Sequence, residues 1–350
     1  MYTVCIPSHQ RILGINETAT ILLKELCQAQ VRGETAVQKL ISERLVATGC
    51  LVEEFEYDPA DVKVKGEFAI DQARAKDRRK AIVGTLSGSP QLPSLLVFAH
   101  PDGEMIGDIS QWRHDPFAGS IENGRLFGWG VADDLAGCAA AVAALESIAN
   151  SDKPMGSVIF ASTPSKRHAR GVSALLHNNI TADASLYLHP AESGSGMREI
   201  KAVASGHMEF QIIVKGCPPE TTEPGHTAFS HLAENPIDKA LMIRSALVTL
   251  AEERAKRVRY PQIEALVGRA TNLHVSKITC GDMCRLSRIE DTCILGCAVS
   301  FPPSETINQV KVEIEATIGK AVEADNWLRD HPPQVVWVSG VTGGEVSTDH

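Results

Sequence analysis

Histidines and aspartates in this chain stand directly after apolar runs, an arrangement suited to holding a divalent cation. SLLVFA is followed by His100 and Asp102, ASLYL by His189, and the loop GWGVA by Asp133. Two imidazoles and a carboxylate can bind a metal such as zinc, and Asp102 could hold the His100 ring from behind and fix its tautomer. A further apolar run, SVIFASTP, ends in Ser165 and Lys166. In open α/β sheets, ligands bind beyond the carboxyl ends of the strands, so His100, Asp133 and His189 are expected to converge. Spacing alone leaves a second reading open, in which a histidine ending a buried strand is a hydrogen-bonded core residue. Cys280, Cys284, Cys293 and Cys297 form a second candidate metal group. Its three-residue gaps are wider than the usual two of a zinc knuckle, and CILGCAV reads as a buried strand in which cysteine is a small hydrophobe.

The elements that must position these residues alternate. GETAVQKLISERLVATG places Val37, Leu40, Ile41 and Leu45 on one helical face, with Gly49 closing it. AIVGTL and SLLVFAH read as strands, the second nearly all apolar, as a strand covered on both faces should be. DDLAGCAAAVAALESIAN predicts a helix capped by Asp133 or Asp134. SVIFAST and ASLYLHP predict two more buried strands, which together indicate an α/β sheet between helices. From Ser205 the pattern changes to strand, helix, strand, strand, helix: HMEFQIIVKG, NPIDKALMIRSALVTLAEERAKRV, LHVSKITCG, CILGCAVSF and SETINQVKVEIEATIGKAVEA, the last capped by Ser304. That order is ferredoxin-like, a split β-α-β unit. QVVWVSGVTGGEVSTDH starts as a new strand and breaks off at His350, which suggests a chain cut short.

The 350 residues carry a net charge of -9, with 43% hydrophobic and 22% charged residues. Such a balance lacks the basic surface that nucleic acid or an anionic membrane requires, and the length suits two domains. No secretory signal or membrane-length apolar run is legible. The nine scattered cysteines suit reduced thiols, so a cytoplasmic setting is expected.

The run LLVFAHPDGE…WRHDPFAG…ENGRLFGWGVADDLAG, followed by SGHMEFQIIVKG…EPGHTAFSHLAENPIDKAL, resembles the acetylornithine deacetylase / succinyl-diaminopimelate desuccinylase / zinc carboxypeptidase family of metallopeptidases. The match runs in consistent order from about Gly33 to the last residue. It implies a zinc-peptidase-like α/β/α sandwich with an inserted ferredoxin-like dimerisation or lid domain. The expected boundaries are 1–204 for the catalytic-type domain, 205–322 for the lid, and 323–350 for an incomplete return to the catalytic domain. The implied activity is metal-dependent hydrolysis of amide or peptide bonds in N-acyl amino acids or short peptides, by a homodimer joined through 205–322. His100 resembles the first metal ligand, Asp133 the metal-bridging carboxylate, and His189 stands where the family has an acidic ligand. His226 resembles the lid histidine that polarises the scissile carbonyl, and Asn235 the lid asparagine.

Three departures from the family pattern bear on this reading. The family's glutamate pair, one a general base and one a ligand, falls at Ser165-Lys166, with Gly171 at the expected distance. The lid arginine corresponds to Ser300, and the last histidine ligand would lie beyond His350. A single ion, zinc or alternatively cobalt or manganese, is therefore expected on His100, Asp133 and His189. Glu104, Asp102, Glu192 or Lys166 would stand in for the lost base. The alternative is a non-catalytic homologue that only binds a small molecule or peptide.

Overall fold

The computed structural model describes residues 4–5, 13–64, 66–69, 77–103, 106–166, 170–189 and 200–347. Two compact units result, one of residues 1–64 and 74–200 and the other of 65–73 and 201–350. In the first unit α1 (Leu13–Ala29) and α2 (Glu34–Ala47) precede β1 (Leu51–Tyr57). Burial of Val37, Gln38, Ile41 and Leu45 follows the expected helical face of α2. The short β2 (Glu67–Ala69) belongs to the second unit. The first unit resumes with β3 (Arg79–Leu86), β4 (Leu95–Ala99), α3 (Ala136–Ala149), β5 (Val158–Ser162), α4 (Arg170–His177) and β6 (Ala184–Tyr187).

These strands form one sheet in the order β1-β3-β5-β4-β6. The outer pairs β1–β3 and β3–β5 are antiparallel, whereas β5–β4 and β4–β6 are parallel. Helices cover both faces. Leu26, Val37, Ile41, Ala139 and Val142 pack with Phe160 and Ala99 on one side. Leu175 of α4 packs with Val83, Leu96 and Ala161 on the other. An apolar strand buried on both faces has no wet side to alternate toward, which is why β4 and β5 are continuous apolar runs. The unit is an α/β/α sandwich, and the carboxyl ends of β4, β5 and β6 share one edge.

The second unit contains β7 (Gly206–Lys215), α5 (Pro236–Arg257), α6 (Pro261–Val267), β8 (Asn272–Cys280), β9 (Thr292–Phe301), α7 (Ile307–Glu323), α8 (Asn326–Asp330) and β10 (Gln334–Val341). Its antiparallel sheet has the order β8-β9-β7-β10-β2. Alternate residues of β7, Met208, Phe210, Ile212 and Val214, point into a core shared with Ile243 and Leu247 of α5 and Ile314 of α7.

Here the structure corrects the expected boundary. The strand expected to return to the catalytic domain over 323–350 is β10, which pairs antiparallel with β7, Phe210 opposite Trp337. A β-α-β-β-α-β unit is completed by a last strand beside its first, and β10 supplies it. The cysteine pattern is also structural: Cys293 and Cys297 are buried on β9 beside Leu295, while Cys284 is exposed. No helix among the described residues is long and apolar enough to cross a membrane.

Helix α7 begins at a capping box built on Thr306, two residues beyond the expected cap at Ser304. The Thr306 hydroxyl accepts from the Gln309 N–H at 3.2 Å, and Gln309 Oε1 accepts from the Thr306 N–H at 2.8 Å. Two otherwise unpaired N–H groups are thereby satisfied. Thr306→Ala is expected to cost about 1 kcal/mol, seen as a lowered melting temperature that Thr306→Ser restores.

Candidate active site

His100 directly follows β4, and its ring is almost fully enclosed, 3% exposed. Its Nδ1–H donates to the Thr163 carbonyl at 2.5 Å. A carbonyl can only accept, so the proton sits on Nδ1 and Nε2 keeps its lone pair. Burial pushes the His100 pKa down, with the Thr163 carbonyl working against it. The imidazole is therefore neutral near pH 7. Its backbone N–H donates to Asp134 Oδ1 at 3.0 Å. The Tyr187 ring stacks on Phe98 at 5.0 Å, with centroids 5.2 Å from His100 and 5.4 Å from His189.

The expected N-cap at Asp133 or Asp134 does not form. Helix α3 starts only at Ala136, and both aspartates have non-helical backbone, with φ -125 and ψ 85 at Asp133 and φ -142 and ψ 46 at Asp134. The peptide bond joining them is cis. Neither side chain caps α3, and each has other partners. Asp134 is fully buried against the His100 N–H, and burial pushes its carboxyl up to about 7. Asp133 has other partners. Burial works to raise its pKa, but hydrogen bonds from His189 and Lys166 outweigh that and hold it at about 2.

Lys166 reaches Asp133 from the loop after β5. Ser165 takes a left-handed conformation, φ 67, unusual for a residue with a Cβ. That turn aims two successive N–H groups at one acceptor, Asp102 Oδ2, at 3.0 Å from Ser165 and 3.4 Å from Lys166. Consecutive N–H groups gathered this way make an anion-binding nest. The Ser165 carbonyl accepts from the Gly171 N–H at 3.1 Å, which ties the loop to the start of α4. Asp102 therefore fixes the Lys166 loop, and its expected role behind the His100 ring is taken by Thr163.

At the far end of this loop, the Lys166 ammonium donates to Asp133 Oδ1. His189 Nε2 lies 3.3 Å from the same oxygen and 3.4 Å from Lys166 Nζ. One carboxylate oxygen thus takes two cationic or N–H partners. All three side chains are partly open to solvent, 31% for Lys166, 33% for Asp133 and 23% for His189.

Does this set fit the expected zinc ion? The atoms a cation would use, Asp133 Oδ1 and His189 Nε2, already face the Lys166 ammonium. A dication 4 Å from an ammonium is opposed by about 8 kcal/mol at an effective dielectric of 20. Among the described residues, no group of three or more histidine, cysteine, aspartate or glutamate side chains could hold a metal ion. Asp133 Oδ1 and His189 Nε2, arranged as they are beside the Lys166 ammonium, do not fit a resident metal, and the expected ion on His100, Asp133 and His189 is taken up as a proposal below.

The structure brings Asp133, Lys166 and His189 into direct contact, with Asp102 holding the Ser165-Lys166 turn and the His100 ring edge-on to Tyr187. His226 and Asn235 belong to the second unit and cap helices there. His226 Nδ1 accepts from the Ala228 N–H at 3.0 Å, and Asn235 Oδ1 from the Ile237 N–H at 3.1 Å. Ser300 lies on β9, its hydroxyl accepting from the Asn272 N–H at 3.2 Å. Glu104 and Glu192 lie outside the described residues. Sequence reasoning missed Thr163 and Tyr187, and took Asp134 only as a helix cap. Only Tyr187 had a signal, since it stands two residues before His189 and so on the same side of an extended chain.

The pattern of Peptidase family M20/M25/M40 matches residues 96–335. A succinyl-diaminopimelate desuccinylase of Ehrlichia canis (strain Jake) is 33% identical over 158 residues, 43% of this chain and 40% of that protein. The match thus spans about two fifths of that relative's length. Among solved structures, human carnosine dipeptidase 1 superposes with a TM-score of 0.68 at 12% identity, covering 97% of this chain and 80% of that one. The Bacillus subtilis YXEP protein, a dinuclear metal binding peptidase from the M20 family, superposes with a TM-score of 0.54 at 13% identity, covering 96% and 77%. At these identities the structural likeness concerns the fold.

Proposed function

Because the chain belongs to Peptidase family M20/M25/M40, we propose that it is a hydrolase of amide or peptide bonds, taking an N-acyl amino acid or a short peptide. One observation carries this reading: Asp133, Lys166 and His189 meet beyond the carboxyl ends of parallel strands. That edge is where open α/β sheets bind their ligands.

The chain's own residues supply the parts of the reaction. His189, set against Asp133, is the imidazole that takes a proton from the attacking water. The water oxygen bonds to the carbonyl carbon as the carbonyl becomes an oxyanion. The Lys166 ammonium, held by Asp133, offers its remaining N–H groups to that oxygen. As the C–N bond breaks, the imidazolium returns its proton to the leaving nitrogen. Dimerisation through the second unit belongs to the same proposal. It is supported by β8, an edge strand of that sheet whose residues are mostly exposed.

The test is a panel of N-acetyl and N-succinyl amino acids, dipeptides and tripeptides, with product amines quantified by mass spectrometry. Turnover of at least one class is expected, reduced about 10²–10⁴-fold by His189→Ala. No turnover with or without added zinc, or full turnover in His189→Ala, would overturn the proposal.

A second reading, binding without turnover, is favoured by one specific observation. Ser165, standing where the family has its general base, is buried, and its N–H is committed to Asp102. Calorimetry on the same panel tests it: saturable heat without product supports this reading, and product formation excludes it.

A further inference from the structure

We propose that Lys166 is the permanent cation of this site, standing where a divalent metal would bind, so that the chain works without one and directs the ammonium at a carboxylate or carbonyl oxygen of its ligand. The proposal goes beyond the hydrolase reading and holds whether or not the chain turns a substrate over.

The placement of Lys166 is built, unlike that of a surface lysine on a flexible stem. Its backbone N–H and that of Ser165 are held by Asp102 Oδ2. The same loop is pinned from its far side, where a Cβ on Gly171 would come within 2.1 Å of the Pro164 carbonyl oxygen. No side chain larger than glycine's could stand there without moving the loop. The main chain thus commits the lysine before its side chain is considered. The ammonium then occupies Asp133 Oδ1 and sits 3.4 Å from His189 Nε2. A metal entering here would need both atoms and would meet a fixed positive charge beside them.

The substitution also changes what the site prefers to bind. An ammonium is a compact charge with three donors and no acceptor. Asp133 takes one donor, and with Lys166 31% open to solvent the others can reach a ligand. Anionic oxygen is the complementary chemistry, either a carboxylate of an amino acid or the carbonyl oxygen of its acyl group. A metal-chelating group such as a hydroxamate is expected to bind no better here than a simple carboxylate.

The experiment uses the purified full chain, loaded with excess zinc, desalted and measured by elemental mass spectrometry. A parallel cobalt titration is followed by visible absorption. Wild type is expected to hold far less than one zinc and to give no cobalt ligand-field band. Lys166→Glu, which returns a carboxylate, is expected to retain about one zinc per chain. Lys166→Gln, which only removes the charge, is expected to bind cobalt at least about 10²-fold more tightly than wild type. Circular dichroism checks that each variant is folded, and Lys166→Gln is the milder change if Lys166→Glu is not. About one zinc on wild type, lost in His100→Ala, would overturn the proposal. So would folded Lys166→Glu and Lys166→Gln chains that take up no more metal than wild type. Neither readout depends on turnover, so the hydrolase reading can fail while this one stands, and the reverse.

Discussion

Arg254→Ala is expected to destabilise the second unit by about 3–5 kcal/mol, the cost of leaving charged partners buried and alone. Arg254 is the largest fully buried side chain of the described residues, 1% exposed, on the inner face of α5. Its guanidinium donates to Glu305 at 2.7 Å, to Thr271 Oγ1 at 3.1 Å, and to Glu313. Removing it does not affect the two carboxylates equally. Glu313 keeps an exposed partner in Arg257, whereas Glu305, 17% exposed, has no other ion pair among the described residues. The loss therefore falls mainly on Glu305 and on the cavity left behind. Arg254→Met combined with Glu305→Gln and Glu313→Gln should recover most of the stability, since a buried ion pair contributes little over well-packed neutral groups. Hydrogen exchange read at β7 and β9 localises the effect to this unit. A loss below about 1 kcal/mol would mean the network is a solvated surface pair and not a buried one.

Much of the fold was legible because burial leaves its period in the sequence. The face Val37, Ile41, Leu45 is a helix of period 3.6, and β7 alternates between buried and exposed along its length. Both give the element and the side it buries. What periodicity does not carry is a partner. QVVWVSGV reads as an apolar strand whichever sheet receives it, and only the free edge of β7 decides the matter. The fourth strand was nonetheless implied by the order already read, because a split β-α-β unit with three strands leaves that edge open.

The site shows the same division more sharply. Residue types at strand ends pointed to His100 and His189, and the family pattern pointed to Lys166 as an anomaly. Where the lysine goes was not legible, because it follows from a left-handed turn at Ser165, and serine does not announce such a turn as glycine or asparagine would. Asp133 misled for a related reason. An aspartate before an alanine-rich run has the signature of an N-cap, yet the backbone at Asp133 and Asp134 is non-helical and the Asp133 carboxylate meets Lys166 instead. His226 and Asn235, singled out for chemistry, also satisfy helix N–H groups.

Two helix glycines should respond to alanine with opposite signs, and the difference tests how the site is held. Gly137 lies in the first turn of α3, where a Cβ would fall 2.2 Å from the Leu188 carbonyl oxygen and 3.2 Å from the Ala99 Cβ. Those residues immediately precede His189 and His100, so the missing side chain lets the helix press on both strand ends at once. The Leu188 N–H donates to the Phe98 carbonyl at 2.9 Å, so that segment cannot retreat without breaking its link to β4. Gly137→Ala is expected to cost about 3 kcal/mol, at the upper end for overpacking. Any relaxation that relieves the clash moves His189 relative to Asp133. A displacement of an ångström there should weaken turnover about 10²-fold. Gly319, in α7, has nothing within 4 Å of its would-be Cβ. Gly319→Ala should instead stabilise by about 0.5–1 kcal/mol, the ordinary gain in helix propensity. Thermal melts of both variants decide it. Equal and small shifts would mean that α3 has room to move and that the strand ends, with the two histidines on them, are positioned by something other than its close approach.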